Sequence, residues 1–477
     1  MKQKRIIVWF RNDLRLRDNE TLFKAIQKGE EIVPVYCFDP RHFEKTDLGF
    51  QKTGKHRAKF LLESVLDLRK NLQKFNADLV ILRGKPEEEL VTLADRIQAD
   101  AIYFSQEVTS EERNVEKSLE KAAWAKGIVT ESFWQTTLYH IDDLPFPINQ
   151  TPEVFTQFRK SVEKLSSIRE TYPQVEKISF PGKEIIPQAG VMPALKTFGL
   201  EEPESEPGAV MAFEGGESAG LRRIHSYIWE KDLLKVYKET RNGLIGGDYS
   251  SKFSAWLALG CISPRTIYEE VKRYERERKK NQSTYWLVFE LVWRDYFRFI
   301  SKKHGNKVFH IGGIKNLKDS WRRDNAVFQR WCEGQTGVPF VDANMRELKN
   351  TGFMSNRGRQ NVASFLVNDL GIDWTWGASY FESVLIDYDV CSNWGNWMYV
   401  GGVGNDPREN RYFNILRQAK NYDRNGDYVR LWIPELAALK GFDIHQPWDL
   451  STGELQKAGI RIGGTYPHPL VELQPAF

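Results

Sequence analysis

Strand patterns crowd into one end of this chain and vanish from the other. Ile6-Ile7-Val8-Trp9-Phe10, Glu31 to Phe38, Asp78 to Arg83 and Ala101 to Ser105 are short, largely apolar runs. Between them the spacing predicts helices over Asn19 to Lys28 and Lys55 to Lys74, with another starting at Pro86. In the second helix, Phe60, Leu61, Val65, Leu68 and Leu72 keep close to a helical repeat. Strands separated by helices belong in a parallel sheet, because each return needs a crossover long enough to hold a helix. Residues 1–140 therefore read as an α/β domain with a parallel, Rossmann-like sheet. From Ser218 onward the strand pattern is gone. Leu221 to Lys238, Pro264 to Lys280, Thr284 to His304, Ala343 to Leu348, Gln360 to Leu370 and Trp376 to Asp387 read as helices, so residues 218–477 are expected to be predominantly α-helical. Between the two halves, residues 141–217 hold Pro145-Phe146-Pro147, Pro181-Gly182, Glu201-Glu202-Pro203 and Gly215-Gly216, the composition of an interdomain linker laid over the surface.

Charge and aromatic content divide along the same line. Residues 1–220 carry 31 Lys and Arg against 35 Asp and Glu, while residues 221–477 carry 37 against 29. The basic half suits a polyanionic partner, although ordinary surface charge accounts for an imbalance of this size equally well. Twelve of the fifteen tryptophans lie at or after Trp229. Each indole buries a large area and wants an N–H acceptor, so such density suggests stacking surfaces, a bound aromatic cofactor or electron transfer. Cys37, Cys261, Cys332 and Cys391 are too widely spaced for a C-x-x-C ligand pair and read as reduced, buried thiols, with no metal site. No run of about eighteen apolar residues is present, which excludes a helical membrane span, and the apolar stretch before Arg11 is too short for a signal peptide. A cytoplasmic location is the simplest expectation, or an organelle where a transit peptide has been removed.

Three clusters offer chemistry. In Leu244 to Gly260, glycines at 243, 246 and 247 let a ligand approach the backbone, and Ser250, Ser251 and Ser254 stand at an expected helix start, where exposed N–H groups and hydroxyls suit a pyrophosphate. A plain turn with a helix cap has the same residues. Asn356-Arg357-Gly358-Arg359 is either a solvated basic turn or a cation set against an anionic ring. Asp387-Tyr388-Asp389-Val390-Cys391-Ser392-Asn393-Trp394-Gly395-Asn396-Trp397 packs two acids, an amide and two indoles together. The acids could pair with a buried Arg, or serve as an acid/base couple or a metal site, but no His or third acid stands at ligand spacing.

Taken together, these segments resemble the photolyase/cryptochrome family. The opening Val8-Trp9-Phe10-Arg11-Asn12-Asp13-Leu14-Arg15-Leu16-Arg17-Asp18-Asn19 is similar to the family's start. GKHRAKF (54–60), SSKFSAWLALGCISPR (250–265), FELVWRDYFR (289–298), TGVPFVDANMREL (336–348) and TGFMSNRGRQNVASFLVNDLGIDW (351–374) follow in the family's order across nearly the whole chain. Asn393 to Tyr399 and Gly402 to Arg408 resemble the DASH cryptochromes within it, as do Gln360 and Tyr399, which stand where other photolyases of cyclobutane pyrimidine dimers carry Met and Trp. One departure is Gly401-Gly402, where Ala-Gly is expected.

The resemblance implies a C-terminal FAD-binding domain. Tyr237, Ser250, Ser251, Lys252, Phe253 and Ser254 match the segment at the FAD phosphates and ribityl chain. Arg294 and Arg359 match arginines at the flavin, Asp387 the acid that pairs with Arg359, Asp389 a residue near the ring, and Asn393 the amide facing flavin N5. Trp397, Trp374 and Trp321 match a triad that passes electrons to photoexcited flavin. Glu290 and Trp293 match lesion-binding residues, with Asn356, Gln360 and Tyr399 around the same pocket; Asn356 stands where six-four photolyases carry His. Glu107 matches the acid at an antenna, expected to be 5,10-methenyltetrahydrofolate between the domains. The implied activity is that of a deoxyribodipyrimidine photo-lyase. This is blue-light repair of cyclobutane pyrimidine dimers by electron transfer from reduced FAD, preferentially in single-stranded or looped DNA, by a monomer with no membrane partner. The alternatives are a photoreceptor or DNA-binding regulator with little repair activity, a conventional duplex photolyase, and a nucleotide-binding α/β protein without photochemistry.

Overall fold

A computed structural model describes residues 4–318, 321–408 and 411–475. Five parallel strands, β1 (Arg5–Phe10), β2 (Glu31–Phe38), β3 (Val80–Arg83), β4 (Ala101–Ser105) and β5 (Val129–Phe133), form one sheet in the order β3-β2-β1-β4-β5. Strand β1 is central and buried on both faces. Its Ile6, Val8 and Phe10 pack with α1 (Glu20–Lys28) and α2 (Lys55–Gln73), while Ile7 and Trp9 pack with α3 (Pro86–Arg96) and α4 (Ser110–Trp124). That double burial is why β1 reads as an unbroken apolar run rather than an alternating one. Strand β5 has no counterpart in the sequence reading. It is an edge strand, VTESF, with Val129 and Ser132 exposed and none of its residues buried, so it lacks the apolar run that marks the others; β3, at the opposite edge, keeps Val80 and Ile81 buried.

Strand order reverses between β1 and β4. In such sheets the crevice beyond the strands' C-terminal ends, at the reversal, is where ligands bind. Here the helical half sits against that crevice.

After α5 (Phe155–Leu165) the helical half comprises α6 (Glu217–His225), α7 (Tyr237–Thr240), α8 (Ser254–Ala258), α9 (Pro264–Glu277), α10 (Gln282–His304), α11 (Asn325–Cys332), α12 (Pro339–Thr351), α13 (Asn356–Ser364), α14 (Trp374–Val384) and α15 (Val390–Val400), followed by three shorter helices. The expected single helix from Leu221 to Lys238 is broken. It passes through a π-helical turn at Ser226–Glu230 and ends, with Asp232 at positive φ, before α7 begins. The helix expected from Gln360 starts earlier, at Asn356, where the Ser355 hydroxyl caps it by accepting from Gly358 N–H, and it finishes in a π-helical turn at Phe365–Asp369. The connection over 141–217 also does more than lie on the surface. Phe155, Phe158 and Val162 of α5 are buried, and the two phenyl rings pack on Tyr296 of α10. No described helix is long and apolar enough to cross a membrane.

Much of the opening segment welds the two halves. Arg15, 2 % exposed, donates to the carbonyls of Asp18 and Gly260. The Glu217 carboxylate accepts from Leu16 N–H and Arg17 N–H. Arg265 pairs with Asp18 at 2.6 Å, both buried. From α10, Asp295 accepts from Leu138 N–H and Tyr139 N–H beyond β5. Gly260, at φ +62°, must be glycine, because a Cβ there would lie 2.0 Å from the Asn12 carbonyl oxygen.

Candidate active site

A cavity of about 280 Å³ lies inside the helical half. One wall is α10, where Glu290, Trp293, Arg294 and Phe297 stand at i, i+3, i+4 and i+7 and so share a face. The opposite walls are Tyr237 and Arg241, Ser250 through Ser254, Phe353 to Asn356 with Arg359, and the Asp387–Asp389 segment. Helix α8 begins at Ser254 and is only five residues long, so the serines occupy the loop leading into it. Lys252 holds a positive φ of 60° and is buried; its Nζ donates to Ser250 Oγ at 3.2 Å and sits over the Tyr249 ring. Burial drives its ammonium well below the usual lysine range.

Two acids organise the charge. Asp387 Oδ2 accepts from Arg359 Nη2 at 2.9 Å and from the Ser254 hydroxyl at 2.6 Å. Its Oδ1 is buried with no hydrogen-bond partner among the described residues, an acceptor that a ligand N–H would satisfy. Asp389 caps α15 by accepting from Ser392 N–H, and its Oδ2 accepts from Arg298 Nη2 at 2.5 Å and lies 3.8 Å from Arg294 Nη2. Burial by itself would raise the Asp389 carboxyl; the Arg298 and Arg294 guanidiniums overcome it and hold the group down to about 2. Arg294 Nη2 also donates to the Leu257 carbonyl.

Apolar side chains, hydroxyls and paired charges in one cavity fit a flat ring joined to phosphates. Leu257, Leu287, Leu291, Phe297, Phe353 and Met354 supply the surface for a ring, and the 250–254 segment supplies hydroxyls.

Not every residue singled out in the sequence reaches this cavity. Glu290 and Trp293 line it, and Asn356 is exposed at its edge. Glu290 Oε1 pairs with Arg241 Nη1 at 2.7 Å; burial raises its carboxyl and Arg241 opposes the rise. Trp293 stacks on Phe155 with ring centroids 3.5 Å apart and planes 10° apart. Tyr399 is buried behind Trp293 with its ring edge-on, and Gln360 and Asn393 lie outside the lining. Asn393 Nδ2 donates to the Ala378 carbonyl at 3.0 Å. Trp397 and Trp374 are buried, Trp374 Nε1 donates to the Ile311 carbonyl, and Trp321 is half-buried. A Cβ on Gly401 would meet the Trp374 indole at 3.1 Å, so the glycine that departs from the expected Ala makes room beside that ring.

Arg241, Arg298 and Phe155 escaped the sequence reading. Arg298 follows Arg294 by four residues, and that one-turn spacing was a usable signal. Arg241 and Phe155 have none, because each reaches its partner only through tertiary packing.

A second cavity, about 840 Å³, fills the crevice between the halves. Trp9 to Asn12, Tyr36, Cys37, Asp39 and the 107–118 region line it from the sheet side; Ala258, Arg298, Glu382, Tyr388, Asp389 and Trp394 line it from the helical side. Glu107 is buried on its wall, accepts from Asn12 Nδ2 at 3.1 Å and lies 3.7 Å from Arg298 Nη1. Burial pushes its carboxyl up to about 7, against the pull of Arg11 and Arg298.

Residues 6–177 match the DNA photolyase family, and residues 286–476 match the FAD binding domain of DNA photolyase. A cryptochrome DASH from Gloeobacter violaceus is 54% identical over 473 residues, spanning 99% of this chain and 94% of the relative. The crystal structure of a Synechocystis cryptochrome superposes with a TM-score of 0.92 at 51% identity, covering 99% of this chain and 98% of that one. A bacterial class III photolyase from Agrobacterium tumefaciens superposes at 0.83 with 30% identity, covering 99% and 95%.

Proposed function

The chain belongs to the photolyase/cryptochrome family and, within it, to the DASH cryptochromes, and from that premise we propose that it repairs cyclobutane pyrimidine dimers under blue light, preferentially in single-stranded DNA. The observation that carries this reading is one cavity that holds both the flavin-matching set (Ser250 to Ser254, Arg294, Arg359, Asp387) and the lesion-matching set (Glu290, Trp293, Asn356). The first set would hold FAD there, and the chemistry the reduced cofactor would supply is light-driven electron transfer to the dimer and back, with no net redox change.

The protein's own part is to hold and orient. The hydroxyls and backbone of 250–254 would hold the phosphates, and the Arg359–Asp387 pair closes the site from the α13 side. Asn393, the match to the amide at flavin N5, lies outside the cavity lining with Nδ2 donating to the Ala378 carbonyl, and it would have to turn toward the cavity to act on the ring. Trp293, braced by Phe155, offers an aromatic surface to the dimer, and Glu290 donates to its carbonyls once burial and the departure of Arg241 let it hold a proton. Trp321, Trp374 and Trp397 form the route by which the flavin is reduced. Glu107, readily protonated, suits the donor and acceptor edge of 5,10-methenyltetrahydrofolate in the cleft. The protein acts as a monomer, in the cytoplasm or in an organelle.

Extruding a dimer from a duplex costs a few kcal/mol of unpairing that a single strand does not demand. The test is light-dependent repair of a thymine dimer in an oligothymidine strand and in the same strand annealed to its complement. Faster repair of the free strand is expected. Equal rates would leave a conventional duplex photolyase, and no repair of either would leave a photoreceptor or DNA-binding regulator.

A further inference from the structure

The two cavities share a wall. Asp389 and Ala258 line both, and Arg298 stands immediately behind Asp389 on the cleft side. Arg298 lies one helical turn beyond Arg294 on α10, is 3 % exposed, and reaches toward acids on two different domains. Its Nη2 donates to Asp389 Oδ2, while Nη1 lies 3.7 Å from Glu107 Oε2, within ion-pair range but beyond hydrogen-bond length. Its Nε and Nη1 are buried and have no hydrogen-bond acceptor among the described residues. A buried guanidinium with unspent donors between two carboxylates can move toward either one.

We propose that Arg298 is a positioning residue that carries the charge state of Glu107, in the interdomain cleft, to Asp389, in the wall of the flavin cavity, so that filling the cleft changes how readily the flavin is reduced. While Glu107 is neutral, Arg298 belongs to Asp389. Once Glu107 is an anion, because the pH has risen or because a cleft ligand donates a hydrogen bond to it, it draws Arg298 toward the sheet side. Asp389 then keeps Arg294 as its main cation, the charge beside the flavin becomes more negative, and reduction becomes harder.

Two buried acids near Arg298 are raised to about 7, Glu107 and Asp295, while burial pushes the Cys391 thiol beside it up to about 12; Asp295 is unchanged in a Glu107→Gln variant, so the difference between that variant and wild type reads Glu107 alone. Arg11 and Asn12 face it from beyond β1, Glu112 and Glu116 from α4, and Arg298 from α10. Glu116 is already engaged by Arg11 at 2.5 Å and by Arg113. Asp389 faces Arg298, Arg294 and Ser392 and stays ionised. Glu107, raised by burial to about 7, changes charge in the range where a cell operates.

The experiment measures flavin midpoint potential by spectroelectrochemistry on FAD-loaded, folate-free protein from about pH 5.5 to about pH 8.5, comparing wild type with Glu107→Gln. The flavin's own pH dependence cancels in the difference. The two proteins should agree at the acid end and diverge toward the alkaline end, with wild type the harder to reduce by roughly threefold to tenfold in the one-electron equilibrium, tenfold being about 59 mV. Adding 5,10-methenyltetrahydrofolate to wild type at about pH 6 should move its potential in the same direction. Parallel profiles, or a divergence of the opposite sign, would overturn the relay. Arg298→Lys, which keeps the charge but loses the two-sided fork, should abolish the divergence while retaining FAD; persistence of the divergence in that variant would also overturn it. The relay rests on FAD occupying the helical cavity: a chain that takes up no FAD sinks that reading and the relay with it, whereas bound FAD with parallel profiles sinks the relay alone.

Discussion

The cavity inside the helical half takes its walls from residues of that half alone, whereas the larger cleft takes one wall from the sheet and one from the helices. The smaller site is preformed by the packing of α8, α10 and α13. The cleft exists only because the halves dock, through Asp18–Arg265, Asp295 with the 138–139 backbone, and Glu217 with the 16–17 backbone. The chemistry differs too. Around the small cavity, Arg359 is matched by Asp387 and Arg298 by Asp389, while on the cleft wall Glu107 is a buried acid with no hydrogen-bonded cation among the described residues. A site enclosed in one domain can afford fixed ion pairs; a site between domains keeps a group free to answer its occupant.

The comparison can be broken at several points. The largest expected effect on a rate is Trp397→Phe, which should slow photoreduction of the bound flavin by at least about a hundredfold, ~2.7 kcal/mol of barrier, while leaving the cleft untouched. Absorbance of the oxidised flavin under blue light with a thiol donor checks this, and an unchanged rate would refute the electron route. The largest expected effect on stability is Asp18→Ala, which strands Arg265 in the interface and should cost about 3–5 kcal/mol in denaturant melts. Because Asp18 belongs to the docking surface, the antenna should be lost before FAD; loss of FAD first would erase the distinction between the sites. Glu290→Ala should lower repair kcat/KM roughly tenfold, by removing one hydrogen bond to the dimer, with photoreduction unchanged.

The smaller effect on stability is a pH-dependent one at Glu107. Its folded carboxyl, at about 7, holds a proton more tightly than an unfolded glutamate at about 4.3. The stability it contributes is therefore complete below about pH 4 and lost as pH rises through about 7. In folate-free protein, Glu107→Gln should match wild type near pH 4 and exceed it near pH 8 by on the order of 1–3 kcal/mol, read from thermal melts at each pH. A constant difference across that range would show that Glu107 is not the cleft's titrating group.

Which features were legible follows from how each is encoded. Strands β1, β2 and β4 stood out because burial on both faces demands apolar runs, and β3, at one edge, because its Val80 and Ile81 are still buried. Strand β5, on the edge, needs only one good neighbour, and its polar sequence hid it. The serines of 250–254 and the acids at 387 and 389 were visible as local clusters, and they do converge on one cavity. Phe155 beneath Trp293 and Arg241 on Glu290 were invisible, since each pair is separated by dozens of residues and joined only by packing.

By itself, the sequence determined the α/β beginning, the helical remainder, the family and the residue types offered for flavin and lesion, because periodicity and local composition act over a few residues and survive in one dimension. Only the tertiary structure decided that much of the opening segment is an interdomain weld, that Asp389 faces two cavities, and that Arg298 stands between Glu107 and the flavin wall. Those facts depend on which faces of distant elements meet when apolar surface is buried, and no local pattern records that meeting.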